Sequence, residues 1–308
     1  MAAAQRRVRA AEKAQQAQEL AYAFNTIMNL HRASFPPAQS PVAAAPTPPG
    51  PADDNAVREW REQLAAEDLG MRRHPDRTKA KLASQQAAEQ EISRPRAASA
   101  FERERQVRHQ QQLDLQWSLL CANDPDLVLS VLGDAFADNE APAAAVGVDG
   151  ATVALVVLVP GIEAVPERLP GRTEAGNLSL RKLTKTMRSA LYNQLVAGYV
   201  LTTIRETFAV APGLADAQVV AIRTPGSSAF GRVPADCVLA ARFSRNALQG
   251  VRWDLVEATT VLNDVSSELL VRQRGAAREL QPLDLAKEPE LAELLTKVDV
   301  EDLAVGAR

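Results

Sequence analysis

The 308-residue sequence predicts an α/β fold, in which a mixed sheet of about four or more strands is covered by helices on both faces. Three observations lead to this class. Asp149–Gly150 stands between two apolar segments, a pattern typical of a β-hairpin. The second segment, Val153–Val159, is continuously apolar, which indicates a strand buried on both faces. A long amphipathic helix and further apolar strands follow it, so strands and helices alternate.

An extended helical arm, part of it disordered, is expected to precede this domain. Residues 2–33 predict a helix, because Ala, Gln and Arg dominate the first half and apolar residues recur at helical spacing in the second. The apolar stripe favours a docking face for the rest of the chain or for a partner. It consists of Leu20, Phe24, Ile27 or Met28, His31 and Phe35.

A Pro-rich linker and a charged segment follow the first helix. The linker should be extended, and its PxxP spacing at Pro46–Pro49 is expected from composition alone. The charged segment carries a short stripe of Val57, Trp60 and Leu64, and prolines at 75 and 95 should interrupt it. The predicted boundaries are 1–34 for the arm, 35–54 for the linker, 55–112 for the charged segment and 113–308 for the α/β domain.

The remaining elements of the domain follow from caps and periodicity. Asp124 is a good N-cap and Pro125 suits the first helical position, so a helix should begin there. The segment 253–285 is ambiguous between helix and strand. The other expected elements are a helix at Ser179–Val210, strands at Gln218–Arg223 and Cys237–Phe243, and a final helix at Pro289–Val298.

The bulk composition predicts a cytoplasmic protein without a membrane partner. Val153–Val159 is the longest strongly apolar run and is far shorter than the ~18 residues that a membrane span needs. Cys121 and Cys237 are too few for a disulfide framework, and we expect both to be buried, reduced thiols. Residues 1–120 hold 17 basic and 14 acidic residues, against 18 and 24 in the remainder. This asymmetry is weaker than that of typical nucleic-acid binders.

The histidines limit the chemistry that the domain can perform. His31, His74 and His109 all lie before residue 113. The predicted domain therefore lacks Ser–His–Asp and Cys–His arrangements, together with most zinc-site designs. We accordingly predict no catalytic residue, no metal ligand and no cofactor.

Two motifs of phosphate chemistry, a magnesium-nuclease site and a phosphate-binding loop, are incomplete in the sequence. A magnesium nuclease would need paired carboxylates on neighbouring strands, but Asp149 lies in a turn and Asp236 begins a strand that has no second acid. Gly226–Gly231 resembles a phosphate-binding loop in its glycines only. Arg232 and Val233 replace the required Lys and Ser/Thr, so a plain connection is expected.

A cluster of basic residues near the start of the long helix is the candidate anion-binding site. Cations at a helix N-terminus oppose the macrodipole, but free backbone N–H groups there favour phosphate. The alternative is a solvated face paired with Glu163, Glu167 or Glu174. The cluster consists of Arg181, Lys182, Lys185 and Arg188.

Several stretches also carry a family resemblance. They are FADNEAP, VVLVPG, VPERLP, AGNLSLRKLTKT, FAVAPGL, LAARFSR and GAARELQPLDL. Through them, residues Leu113 to Leu303 resemble the C-terminal region of an actinobacterial family of unknown function. Members often begin with a small β-rich module, which this sequence lacks. The resemblance implies one domain from Leu113 onward and implies no reaction.

Three hypotheses for the function follow. The first is a non-enzymatic protein-interaction module, in which the domain binds a protein partner and the helical arm tethers it or self-associates. The second is a metal-dependent nuclease or other phosphoryl-transfer enzyme, whose carboxylates converge only in three dimensions. The third is a nucleic-acid-binding protein that uses the Arg/Lys cluster.

Overall fold

The chain divides into two compact units. One comprises Met1–Ala38 together with Leu119–Arg308, and the other comprises Gln39–Ser118. A helical arm is present as predicted, but its first 38 residues share a unit with the α/β domain. The computed structural model describes residues 2–45, 54–69, 74–172, 178–224 and 235–305.

The described helices and strands agree with the predicted α/β class. The helices are α1 (Ala2–Asn29), α2 (Asp54–Leu69), α3 (His74–Cys121), α4 (Pro125–Phe136), α5 (Lys185–Val210), α6 (Arg245–Leu248), α7 (Ala258–Val265), α8 (Pro289–Thr296) and α9 (Val300–Val305). The strands are β1 (Ala143–Asp149), β2 (Thr152–Leu158), β3 (Arg168–Arg172), β4 (Leu178–Lys182), β5 (Asp216–Arg223), β6 (Asp236–Ser244), β7 (Glu268–Arg274) and β8 (Glu279–Gln281).

Six of these strands form one mixed sheet in the order β1-β2-β5-β6-β7-β8. β2 and β5 run parallel and are connected through α5, whereas the other neighbours run antiparallel. β3 and β4 form a separate two-stranded ribbon. The mixed sheet that the sequence predicts is therefore confirmed.

The β1–β2 hairpin forms where the sequence predicts it. Gly150 has a φ of +57°, the left-handed conformation that glycine adopts without strain. Asp149 pairs with Thr152, so the turn consists of Gly150 and Ala151, one residue later than predicted. β2 is buried on both faces, since Leu155 and Val156 are both fully buried. This confirms the prediction, made from its continuous apolar run, that the strand is buried on both faces.

Different helices cover the two faces of the sheet. On one face, Val156, Val220 and Ile222 pack with Leu291 and Leu294 of α8. On the other face, α5 packs against β2 and β5, and α4 packs against β1. The sheet therefore has a helical layer on each side, as predicted.

The long helix begins later than the sequence predicts. Residues 178–182 form β4, because Leu178 and Leu180 alternate with polar residues and the strand pairs with β3. Thr184 then caps α5, its hydroxyl accepting a hydrogen bond from the Met187 amide at 3.2 Å. The predicted start at Ser179 is therefore wrong by about six residues.

The later elements lie close to their predicted positions. β5 and β6 extend the expected strands by one or two residues at their ends. The ambiguous segment 253–285 contains a helix, α7, followed by the β7–β8 hairpin. α8 begins at Pro289 as expected and ends at Thr296.

The apolar stripe of α1 docks on the α/β domain, one of the two roles that the sequence predicts for it. Ile27 is buried, and Leu30 lies so close to α5 that a Cβ atom at position 198 would be 3.2 Å from its side chain. The Thr202 hydroxyl donates a hydrogen bond to the Leu30 carbonyl at 3.1 Å. The Arg205 Nη1 donates to the His31 carbonyl at 2.6 Å. These contacts fix the end of α1 on α5.

His31 is the most buried polar residue of this contact. Its Nε2 donates a hydrogen bond to the Val256 carbonyl at 2.9 Å, and its Nδ1 has no partner among the described residues. Burial lowers the pKa of His31, and the neighbouring Arg32 and Arg205 lower it further, although Val256 and Glu257 oppose this shift. The imidazole is therefore neutral at pH 7.

The lowered pKa of His31 predicts a loss of stability in acid. Below pH 6.5 the unfolded chain binds a proton at this site that the folded chain does not, so the unfolding free energy should fall between pH 7 and pH 5. The slope from one proton is at most about 1.4 kcal/mol per pH unit. Urea denaturation at pH 7, 6 and 5 measures it. His31→Gln keeps a donor for Val256, and an unchanged slope in that variant would contradict the prediction.

The Gln39–Ser118 unit consists of α2, most of α3 and the segment before α2. Arg58 pairs with Glu89 at 3.0 Å and Arg61 with Glu91 at 2.7 Å, so α2 lies beside α3. α3 continues through Pro95, and the predicted interruption there is wrong. α3 therefore accommodates a proline that lacks the N–H for one helical hydrogen bond.

The two cysteines differ in their surroundings. Cys237 is buried, and burial raises the pKa of its thiol to about 11, so it stays protonated at neutral pH. Cys121 is exposed, which contradicts the expectation that both thiols are buried. Among the helices that the structure describes, none combines the length and the apolar character needed to cross a membrane.

Candidate functional site

A groove of about 610 Å³ lies beside α5 on the sheet face that carries Leu239. Strands β6, β7 and β8 form its floor, α5 and α7 form its walls, and Met28 of α1 also lines it. Leu269 and Val271 of β7 and Leu191 of α5 supply its central apolar surface. We call it the β7 groove. Its volume lies within the range of ~300–1,000 Å³ that ligand sites in proteins occupy.

The floor of the β7 groove is open to solvent. Val271 is 36% exposed, whereas Leu155 of β2, beneath the helical layer, is fully buried. Among the described strands, the sheet continues beyond β7 with the three-residue β8 alone. Leu270 points to the opposite face of β7 and is 41% exposed. The helical layer over this face therefore leaves part of β7 uncovered.

Gln194 joins the two walls of the groove. It is 6% exposed, and its Nε2 donates a hydrogen bond to the Glu257 carboxylate at 2.8 Å. Its Oε1 accepts from the Thr259 amide at 3.1 Å. That amide belongs to the first turn of α7, where backbone N–H groups have no partner within the helix. Gln194 thus caps α7 from α5 and fixes the width of the groove.

Asn193 presents an acceptor at the wall of the groove. Its Nδ2 donates to the Arg278 carbonyl at 3.1 Å, so the orientation of the amide is fixed. Its Oδ1 is buried and has no donor among the described residues. The polar lining includes seven residues with uncharged side chains and only two with charged ones, Glu257 and Arg278. The groove therefore suits an amphipathic ligand with few charges.

The structure separates the predicted basic cluster into two pairs. Lys185 and Arg188, in the first turn of α5, form ion pairs or hydrogen bonds with neighbouring residues. The Lys185 Nζ lies 2.7 Å from Glu279, and this contact lowers the pKa of the Glu279 carboxyl. Arg188 donates to two backbone carbonyls of the turn at 162–165 and lies 3.6 Å from Glu167. Glu167 is one of the acids that the sequence suggested as a partner.

Arg181 and Lys182 lie instead on the β3–β4 ribbon, and both are exposed. The Arg181 Nη2 donates to the Arg172 carbonyl at 3.2 Å. Lys182 lies directly across from Arg168 in the ribbon register. The four predicted residues therefore do not converge on one anion, and two of them belong to a basic ribbon.

The described residues that were candidates for metal or phosphate chemistry do not lie close together. Asp149 ends β1, and Asp236 pairs with Arg223 at 3.6 Å. Within the described ranges, no three His, Cys, Asp or Glu side chains are grouped as metal ligands. Gly226–Gly231 and Glu174 lie outside the described residues.

The chain matches no protein-family model, no curated protein and no solved structure. Its function must therefore be inferred from side chains that the fold brings together. The sequence did not predict the β7 groove, because its lining comes from α1, α5, α7 and three strands. The sequence carried one sign of this groove. Leu269–Val271 are three consecutive apolar residues of a strand near the end of the sheet, where the described helices cover the strand only in part.

Proposed function

We propose that this chain is a protein-interaction module that acts by binding rather than by catalysis, and that the β7 groove binds an amphipathic helix of a partner protein. The exposed apolar floor at Val271 supports this proposal most strongly. In layered α/β folds, helices bury both faces of the sheet. A helix from a partner would complete the layer that ends at α7.

The lining of the groove defines the chemistry of the partner. Its apolar centre suits side chains recurring at i, i+3, i+4 and i+7 along one face of a helix. Since only Glu257 and Arg278 carry charge, the bound face of the helix should be uncharged.

The second unit suits the tethering role in this proposal. α3 contains 48 residues and is therefore about 72 Å long at ~1.5 Å per residue. Its sequence is polar, it pairs with α2 through two salt bridges, and few of the unit's described side chains are buried. The β7 groove would bind the partner, while this unit supports attachment or self-association.

Val271→Arg should weaken binding of the helix at least about tenfold, because it places a charge on the apolar floor. Leu270→Arg is the matched control, since it makes the same change on the adjacent residue and the opposite face. Helical peptides would be selected from a displayed amphipathic library on the full chain. Fluorescence anisotropy of the selected peptide then measures its affinity for each variant.

Equal losses for Val271→Arg and Leu270→Arg would place the binding site elsewhere. In a second outcome, the library yields no peptide while a small apolar dye binds and Val271→Arg abolishes that binding. This result would identify the groove as a small-molecule site instead. Circular dichroism of both variants separates these outcomes from unfolding. Both substitutions are at exposed positions, so we expect the fold to persist.

A further inference from the structure

The β3–β4 ribbon carries an unusual concentration of positive charge. Of its ten residues, four are cations, and none is acidic. These cations are Arg168, Arg172, Arg181 and Lys182, and all are exposed. No salt bridge joins any of them to an acid among the described residues. In a chain of net charge −3, this ribbon is a local basic surface.

The ribbon register places like charges directly opposite each other. Arg168 pairs with Lys182 across β3 and β4, and like charges at such positions repel and destabilise the pairing. The nearest acid along the chain, Glu167, lies 3.6 Å from Arg188 instead. An external anion would remove this repulsion, so the arrangement favours a negatively charged ligand.

The extent of the basic surface indicates a polyanion rather than one phosphate. Arg168 and Arg172 are separated by about 13 Å along β3, given ~3.3 Å per residue. The ribbon contains no aromatic residue for stacking on unpaired bases. Its leucines are half-buried and offer no exposed apolar anchor for a bilayer. Because α1 packs against β3, the ribbon can reach a duplex through its phosphate backbone and not from within a groove.

We propose that the β3–β4 ribbon binds the phosphate backbone of double-stranded nucleic acid. Arg168, Arg172 and Lys182, which alternate onto one face of the ribbon, neutralise phosphates. This activity is independent of the β7 groove. Val271→Gln, which adds no charge, should therefore leave it unchanged.

Fluorescence anisotropy of the full chain with a labelled 24-base-pair DNA duplex tests this proposal. At 50 mM salt the duplex should bind, and the affinity should fall steeply towards 200 mM because bound counterions are released. Arg172→Gln/Lys182→Gln should weaken binding at least tenfold at 50 mM salt and reduce the slope of log affinity against log salt by about 2. Arg272→Gln/Lys287→Gln removes the same charge from exposed positions elsewhere and should retain most of the affinity.

Three results would overturn the proposal. They are undetectable duplex binding at 50 mM salt, equal losses in the two double variants, and binding to vesicles with 30% phosphatidylserine in place of the duplex. Arg172→Lys/Lys182→Arg keeps the charge and should retain binding. Its failure alongside an unchanged far-ultraviolet spectrum would also count against phosphate contacts.

Discussion

Replacing Arg245 by methionine should lower the unfolding free energy of the α/β unit by about 3 kcal/mol. The Arg245 guanidinium donates to the carbonyls of Phe208, Ala211 and Leu214 at 2.6, 2.8 and 2.7 Å. It also lies 4.8 Å from the centre of the Phe208 ring. These carbonyls close the C-terminus of α5, where helix groups lack internal partners and the macrodipole favours a cation.

Urea denaturation monitored through Trp253 measures this loss. Trp60 and Trp117 would first be replaced by phenylalanine, so that the fluorescence reports on the α/β unit alone. Arg252→Met is the matched control, because Arg252 is exposed and no hydrogen bond of its side chain is described. Arg245→Lys should recover only part of the stability, since a lysine cannot reach three carbonyls at once. A difference under about 1 kcal/mol between Arg245→Met and Arg252→Met would contradict the assignment.

Gly213→Ala should cost about 3 kcal/mol, because the backbone of another element occupies the space for its side chain. A Cβ at Gly213 would lie 2.8 Å from the carbonyl carbon of Cys121 and closer still to its oxygen. The Asn123 side chain also donates to the Gly213 carbonyl at 3.0 Å and holds the two segments together. The corner between α3 and α4 therefore rests directly on the turn after α5.

Gly133→Ala is the control for this prediction. Gly133 lies within α4, and a Cβ there has no atom within 4 Å, so the substitution should stabilise the protein by roughly 0.5–1 kcal/mol. The same denaturation experiment compares both variants. If Gly213→Ala unfolds at the same urea concentration as the unsubstituted protein, the close contact with Cys121 is not rigid.

The elements that the sequence predicts best are those fixed by neighbouring residues. The β1–β2 turn depends on Gly150, and the burial of β2 depends on its continuous apolar run. α4 begins at Pro125 as predicted, because its Asp124 cap lies immediately before it. In each case the physical cause operates within a few residues of the chain.

Elements that depend on distant partners were predicted less well. β4 resembles the start of a helix until its pairing with β3 is known, so residues 179–182 were placed in α5. Pro95 was expected to end a helix, but α3 continues through it and lies beside α2. The groove around Val271 has apolar residues that resemble ordinary core positions in the sequence. Their exposure depends on the position of β7 near the edge of the sheet, which the sequence alone does not give.

The contact between α1 and α5 can form only some time after α1 has been synthesised. The Leu30 carbonyl and the Thr202 hydroxyl that binds it are 172 positions apart. At ~5–20 residues per second, a ribosome needs roughly 10–30 s to add that many residues. During this interval, the apolar face of α1 around Ile27 lacks the surface of α5 that covers it in the folded protein. The Gln39–Ser118 unit is synthesised first and can fold meanwhile, which makes α1 the segment most exposed to chaperones and proteases.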